Sequence, residues 1–303
     1  MIAKFDNVSK SYQTKEIKKI ILNNVSFTLE NNNIYGLIGL NGAGKSTIIK
    51  LLTGILLPDS GNIFLLDHST KNIKKDVFNH VSVLFGQRSL LWWDLPVINS
   101  FEIYQAMYNI NKKEYTSQLF YLTQQLDLND LLHKSVRTLS LGQRTLCNIA
   151  LSLIMKPSFI IYDEPTIGLD FLTRKRIRSF IQQYQKDNQA CFLITSHDLE
   201  DIKMCNHMLL LDKGCIQYDS LLSDFITLSN SDELIYELTL NPSISSFNIP
   251  YINKKDNVYS LTQEQLQNNY EKIFEMIKNQ SILHFTKKEN TLEQILEKYY
   301  EKI

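Results

Sequence analysis

Between Ile20 and Leu29 apolar and polar residues alternate. Val25, Phe27 and Leu29 fall on one side and polar residues on the other, the two-residue period of a half-buried strand. Ile2–Phe5 predicts a neighbouring strand, and Asn62–Leu66 another after the turn Pro58-Asp59-Ser60-Gly61. Four short, mostly apolar runs follow a different pattern: Ile34–Ile38, Val81–Phe85, Ser158–Tyr162 and Ala190–Thr195. They predict buried strands. Between them the period lengthens to that of helices: from Ile48, over Asn99–Asn109 and Ser117–Leu126, from the Ser140 region through Leu153, and over Thr173–Lys186. Strands alternating with helices predict an α/β fold, with a helical insert from Gln87 to about Leu146.

The texture changes near Ile216, after which Asn, Ser, Tyr and Lys dominate. Leu234–Leu240, Asn257–Leu261 and Ile282–Phe285 predict strands. Thr262 with Gln265, and Thr291 with Gln294, have the spacing of helix capping boxes. Leu266, Tyr270, Ile273, Phe274 and Ile277 then form one helical stripe, and Leu292, Ile295, Leu296, Tyr299 and Tyr300 a second. The reading is two domains, 1–216 and 217–303, the second a small α+β domain.

Composition removes several classes of function. The chain has 303 residues, 44% hydrophobic and 21% charged, as in ordinary globular proteins. A formal net charge of +0 gives no basic surface for nucleic acid. The four cysteines form no C-x-x-C pair, and Cys205-Asn206-His207 lacks a second ligand cluster, so no cysteine–histidine metal centre is expected and free thiols fit a reducing cytosol. Met1–Lys10 carries charges where a signal peptide needs an apolar core. No apolar run approaches the ~20 residues of a membrane span, so a membrane role is expected to come through a partner.

The chemistry centres on Gly39-Leu40-Asn41-Gly42-Ala43-Gly44-Lys45-Ser46-Thr47, the pattern G-x-x-x-x-G-K-[ST] between a strand and a helix. Glycines let successive N–H groups turn inward, and the helix end adds its dipole to a phosphate-sized site. Lys45 is placed to reach β- and γ-phosphates and the Ser46 hydroxyl to hold Mg²⁺. Ser140 and Gly142 lie at a second helix start, another anion-binding end. Asp163 and Glu164 close a buried strand, the placement for metal holding and general-base work. His197 closes the same edge, where α/β sheets bind ligands. Tyr12 fits either packing or stacking on an adenine ring. The adjacent Trp92 and Trp93 fit either a core or an aromatic protein-contact surface.

Together these stretches, from Ile2 to about Ile216, resemble the ATP-binding cassette (ABC) ATPases, the motor subunits of ABC transporters. The resemblance implies a P-loop NTPase core with an antiparallel β subdomain and a helical subdomain, with ATP and Mg²⁺ as cofactors. It matches Tyr12 to the adenine-stacking aromatic and Gly39–Thr47 to the Walker A loop, including Gly39, Asn41, Gly42, Gly44 and Thr47. Gln87 matches the Q-loop ligand of Mg²⁺ and water, and Leu139–Gln143 the signature that contacts ATP on a second subunit through Ser140, Gly142 and Gln143. Asp163 matches the Mg²⁺ aspartate, Glu164 the catalytic base, Asp170 the D-loop aspartate and His197 the switch histidine. Leu141 departs from the usual signature glycine, and Tyr162 stands where an aliphatic is commoner. Phe85–Pro96 with Leu-Ser-Leu-Gly-Gln-Arg is similar to bacterial exporter ATPases that pair with separate six-helix permeases. The implied partners are that permease and a second ATPase subunit, identical or not, with the chain peripheral on the inner face of the cell membrane. An importer ATPase is the alternative. A cassette acting on nucleic acid or the ribosome is disfavoured: only 94 positions separate Lys45 from Leu139, without heptads between them.

Overall fold

The alternating stretch becomes an antiparallel sheet. In the computed structural model, which describes residues 1–13, 18–86, 88–231, 235–242, 248–288 and 291–301, β1 (Ala3–Gln13) pairs with β2 (Lys18–Leu29). Val25, Phe27 and Leu29 are all buried, and Phe27 stacks on Phe5 at 4.5 Å between ring centroids. β1 runs past the predicted Phe5 as far as Gln13, because its far half gains partners in β2 and at Ser60.

The first unit, Met1–Leu222, continues with β3 (Ile34–Ile38), α1 (Lys45–Leu52), β4 (Ser60–Leu65), β5 (His68–Ser69) and β6 (Val81–Phe85). Three helices follow: α2 (Val97–Met107), α3 (Lys112–Gln125) and α4 (Leu141–Ser152). Then come β7 (Phe159–Asp163), α5 (Phe171–Asn188), β8 (Cys191–Thr195), α6 (Leu199–Lys203), β9 (His207–Asp212) and β10 (Cys215–Leu221). The antiparallel sheet has the order β2-β1-β4-β5. The central sheet has the order β10-β9-β3-β8-β7-β6, parallel except for β10.

The four apolar runs are adjacent strands of that central sheet, which explains their lack of alternation: both faces are covered. One face packs with α1 against the antiparallel sheet, through residues such as Leu37, Ile48 and Leu193. The other packs against the helices of the insert and α5, through Phe101, Ile149, Tyr162 and Tyr184. Tyr162 is accommodated by a polar partner. Its hydroxyl lies 2.9 Å from Ser152 Oγ and its ring meets Phe192 edge-on. Because β3, β7 and β8 run parallel, Gly39, Asp163–Glu164 and Ser196–His197 all leave the sheet at one edge.

The contact boundary between units falls at Leu222, beyond the Ile216 expected, because β10 pairs with β9 and belongs to the first sheet. The second unit, Ser223–Ile303, begins within α7 (Leu222–Ser231). It continues with β11 (Ile235–Leu240), β12 (Asn253–Lys255), β13 (Val258–Thr262), α8 (Gln263–Asn268), α9 (Tyr270–Lys278), β14 (Ile282–Lys288) and α10 (Leu292–Glu301). Its sheet is antiparallel, with the order β12-β13-β11-β14. Both capping boxes form, Thr262 with Gln265 and Thr291 with Gln294. The single predicted stripe does not hold. The helix breaks at Asn269, and in α9 only Ile273 is buried while Tyr270, Phe274 and Ile277 face solvent.

Candidate functional site

The loop Gly39–Gly44 is shaped by two close approaches. A Cβ on Gly39 would lie 2.4 Å from the Leu211 carbonyl oxygen. Gly44 has φ 115° and caps α1 without a side chain. The first N–H groups of a helix have no partner inside it, so this end offers donors and a positive dipole to an anion. Asn41, Gly42 and Ser46 are exposed there, while Gly39 and Thr47 are buried. Lys45 is buried and folds back over the loop, donating from Nζ to Gly39 O at 2.6 Å and Leu40 O at 3.3 Å. Burial lowers its pKa, opposed by the negative charges of Glu164 and Asp163.

Those carboxylates stand at the end of β7. Asp163 Oδ1 accepts the Thr195 hydroxyl at 2.6 Å. Glu164 turns off the strand with φ 54°, a left-handed conformation that a side-chain-bearing residue adopts at a cost of about 1–3 kcal/mol. Its N–H is held by Thr195 O at 3.0 Å and Thr195 Oγ1 at 3.1 Å. The turn brings Glu164 Oε1 to 3.0 Å from His197 Nε2. A cavity of 330 Å³ opens between Glu164, His197, Gly168 and Arg174.

The residues on either side of His197 are pinned. Ser196 Oγ donates to Asp201 Oδ2 at 2.6 Å and accepts the Asp198 N–H at 3.0 Å. Asp198 pairs with Arg174 at 2.6 Å and Arg178 at 2.8 Å. Burial alone would raise the Asp198 pKa, but the Glu200 N–H and the two guanidinium groups together hold it low. Asp201, fully buried, also accepts from Arg178 Nε at 2.5 Å and from the Thr166 hydroxyl. Thr166 lies two residues beyond Glu164, so one carboxylate ties the turn after β7 to the turn after β8.

Ser140 and Gln143 form a reciprocal capping box at the start of α4. Gly142 lies against α5: a Cβ there would be 3.3 Å from Thr173 and 3.8 Å from Asp170 Oδ2. Asp170 caps α5, accepting the Thr173 N–H at 2.9 Å and hydroxyl at 2.7 Å, and those bonds, the hydroxyl's first, lower its pKa. The unusual Leu141 reaches within 3.3 Å of where a Gly168 Cβ would stand. The signature stretch and the turn after Glu164 are therefore packed together.

The predicted residues thus assemble as two groups: Lys45, Asp163, Glu164 and His197 at the strand ends, and Ser140–Gln143 with Asp170 at the starts of α4 and α5. Among the described residues no ion pair or hydrogen bond joins the groups. Gln87 lies outside the described residues; β6, which precedes it, ends with Phe85 opposite Asp163. Tyr12 is partly exposed near the end of β1, beside a cluster that pins Ser11 to Asp59. Trp92 is 39% and Trp93 52% exposed, so neither is core. Trp92 meets Tyr104 edge-on, and the Arg144 guanidinium sits 5.2 Å over Trp93.

Sequence reasoning missed Thr195, Asp201, Arg174 and Arg178. Arg174 and Arg178 read only as part of the charged helix Thr173–Lys186, Thr195 as the last residue of an apolar strand, and Asp201 carried no reading.

The donor set suits Mg²⁺. That ion takes one or two protein oxygens and completes its shell with water and phosphate. Ser46 and Asp163 supply such oxygens, and no cluster of three or more metal-ligating side chains occurs among the described residues. No helix among them is long and apolar enough to cross a membrane.

Residues 22–167 match the family model described as ABC transporter. The ABC transporter ATP-binding protein NatA of Bacillus subtilis is 29% identical over 231 residues, covering 75% of this chain and 93% of NatA. The human cholesterol transporter ABCA5 is 31% identical over 212 residues, 69% of this chain but only 13% of that protein. Among solved structures, the ATP-binding subunit of an ABC transporter superposes with a TM-score of 0.67 at 22% identity, covering 75% of this chain and 93% of that one. A dimeric ATP-binding cassette in a post-hydrolysis state, bound to ADP and Pi, gives 0.65 at 20% identity over 73% and 99%. The strand–loop–helix geometry, the paired carboxylates beside it and the family match over residues 22–167 agree, and the chain carries an ABC transporter ATPase domain, similar to the ATP-binding protein NatA.

Proposed function

We propose that Glu164 is the general base of ATP hydrolysis in this subunit. The observation that carries the reading is the 3.0 Å contact between Glu164 and His197, held beside Asp163 and the buried Lys45. Glu164 takes the proton of the attacking water. His197 orients that carboxylate and reaches the γ-phosphate. Lys45 and the N–H groups of Gly42, Gly44, Lys45 and Ser46 bind the β- and γ-phosphates, with Gly39, Asn41 and Thr47 completing the loop. Tyr12 stacks on the adenine. Ser46, Asp163 and Gln87 would hold Mg²⁺, which when bound neutralises charge on the β- and γ-oxygens. Ser140, Gly142, Gln143 and Asp170 face the nucleotide of a second ATPase subunit, a copy or a homologue. ATP then acts as a ligand of the closed pair, and its hydrolysis reopens it.

The same reading makes the chain an exporter ATPase on the cytoplasmic face of a membrane, driving a separate permease. Its support is the likeness of Phe85–Pro96 and Leu139–Arg144 to that subgroup and the exposure of both tryptophans beside Arg144. The unit after Leu222 carries none of these nucleotide-site candidates and acts as an accessory domain. Glu164→Gln tests the base. Turnover is expected to fall by about 10²–10⁴-fold with nucleotide affinity retained. Hydrolysis near the wild-type rate overturns the assignment.

A further inference from the structure

Thr195 is the last residue of β8, the strand between β3 and β7, and no solvent reaches it. Across the sheet its Cα partners are Leu37 on one side and Asp163 on the other. Its hydroxyl makes two bonds in one direction: it accepts the Glu164 N–H at 3.1 Å and donates to Asp163 Oδ1 at 2.6 Å. An accepted N–H polarises the O–H toward the carboxylate, so the two bonds strengthen one another. We propose that the Thr195 hydroxyl is a positioning group for both carboxylates. It fixes the rotamer of Asp163, so that Oδ2 is the oxygen presented to a hydrated cation, and it holds the left-handed backbone of Glu164 that aims its side chain at His197. The second half rests on the reading of Glu164 as the base; the first does not.

Toward Asp163 the Thr195 side chain acts through its hydroxyl; at the Glu164 backbone it shares the work with its own carbonyl. Thr195 O also accepts the Glu164 N–H, so the turn keeps one bond when Oγ1 is removed. Asp163 Oδ1 then loses its donor on the neighbouring strand. Groups that hydrogen-bond to a metal's ligands command about 10–100-fold in affinity or activity.

The test compares Thr195→Val, which keeps the shape and loses the hydroxyl, with Thr195→Ser, which keeps the hydroxyl. Three quantities are measured on the full chain: kcat and KM for ATP hydrolysis, affinity for a fluorescent non-hydrolysable ATP analogue without magnesium, and the magnesium concentration that half-saturates tightened binding of that analogue. In Thr195→Val, kcat is expected to fall about 10–100-fold and the magnesium requirement to rise by a similar order. Magnesium-free affinity stays within about threefold. Thr195→Ser restores both to near wild type. Equal behaviour of Val and wild type, or Ser as impaired as Val, overturns the proposal. If Thr195→Val does not fold, Thr195→Cys, a weak donor of similar size, supplies the same contrast with Ser. Glu164→Gln in parallel separates the two readings. Wild-type hydrolysis in that variant removes the base assignment, while the magnesium requirement still decides Thr195.

Discussion

Asp201→Ala tests how firmly the switch region is held. Asp201 is fully buried and takes three donors: Arg178 Nε at 2.5 Å, Ser196 Oγ at 2.6 Å and the Thr166 hydroxyl. Removing one partner of a buried ion pair costs about 3–5 kcal/mol, because the other charge is left behind. Here Arg178 keeps Asp198 at 2.8 Å, which places its share at the low end. The two orphaned hydroxyls add about 1 kcal/mol each unless they rotate to new acceptors. A loss of about 3–5 kcal/mol is a large part of the ~5–15 kcal/mol that holds a domain together. For a unit of this size it lowers Tm by about 6–20 °C. The two tryptophans of the chain, Trp92 and Trp93, both lie in the first unit, so their fluorescence reports its melting. Asp201→Asn, which keeps the shape and one acceptor, should fall between Ala and wild type. Arg178→Ala combined with Asp201→Ala should cost less than the sum of the two, since the pair is coupled. A melting point of Asp201→Ala within about 2 °C of wild type would show that the network is solvated and holds nothing.

Three further outcomes follow from other parts of the first unit. Trp92→Ala with Trp93→Ala should leave melting and basal ATPase rate close to wild type while weakening co-purification with the permease proposed above, since both rings are exposed; a collapse of several kcal/mol, the ~3–5 typical of a core Trp, refutes the surface role. Lys10 and the Ser11 hydroxyl hold the Asp59 pKa down at about 2, so its contribution to stability is present above the unfolded value near ~4 and is lost as pH falls toward ~2. Asp59→Asn should therefore flatten acid unfolding across that window, and an unchanged acid curve by tryptophan fluorescence counts against the linkage. Tyr162→Phe removes the bond to Ser152 but leaves Ser152 donating to Ile149 O at 2.7 Å. The expected loss is about 0.5–1.5 kcal/mol in urea unfolding, and a loss above ~3 would mean that ring packing, not the hydroxyl, was disturbed.

What could be read from the sequence divides along a physical line. Gly39–Thr47, Ser140–Gln143 and Asp163–Glu164 were legible because their chemistry needs residues adjacent in the chain: a strand, a tight turn and a helix start. The parallel sheet then followed from four buried runs, and with it the single edge where these stretches converge. Thr195, Asp201 and Arg178 were not legible because their roles are bonds across the sheet and between helices. A threonine ending an apolar strand and an arginine on a charged helix are each what local propensity alone would place there. The tryptophans were ambiguous, and the stripe from Leu266 to Ile277 was read as one helix face, for another reason: an apolar face does not say whether anything covers it.

Glu164 is where local preference and structure conflict outright. The residue before a proline is pushed toward extended backbone, and Glu164 precedes Pro165, yet it sits at φ 54°. Nothing in Asp163-Glu164-Pro165 favours that geometry. Two acceptors on Thr195 hold it from the next strand, and Thr166 anchors the far side of the turn to Asp201. Had the backbone followed its own preference, Glu164 would have continued the direction of β7, and the 3.0 Å contact with His197 would not be expected to form. The strain therefore marks where tertiary bonds override the chain to aim one carboxylate, which is the expected place for sequence reasoning to fail in an enzyme. It also ranks the variants. Changes that release the turn without touching Glu164, at Thr195 or Thr166, should slow hydrolysis more than they weaken ATP binding, because the phosphate loop takes none of its bonds from them.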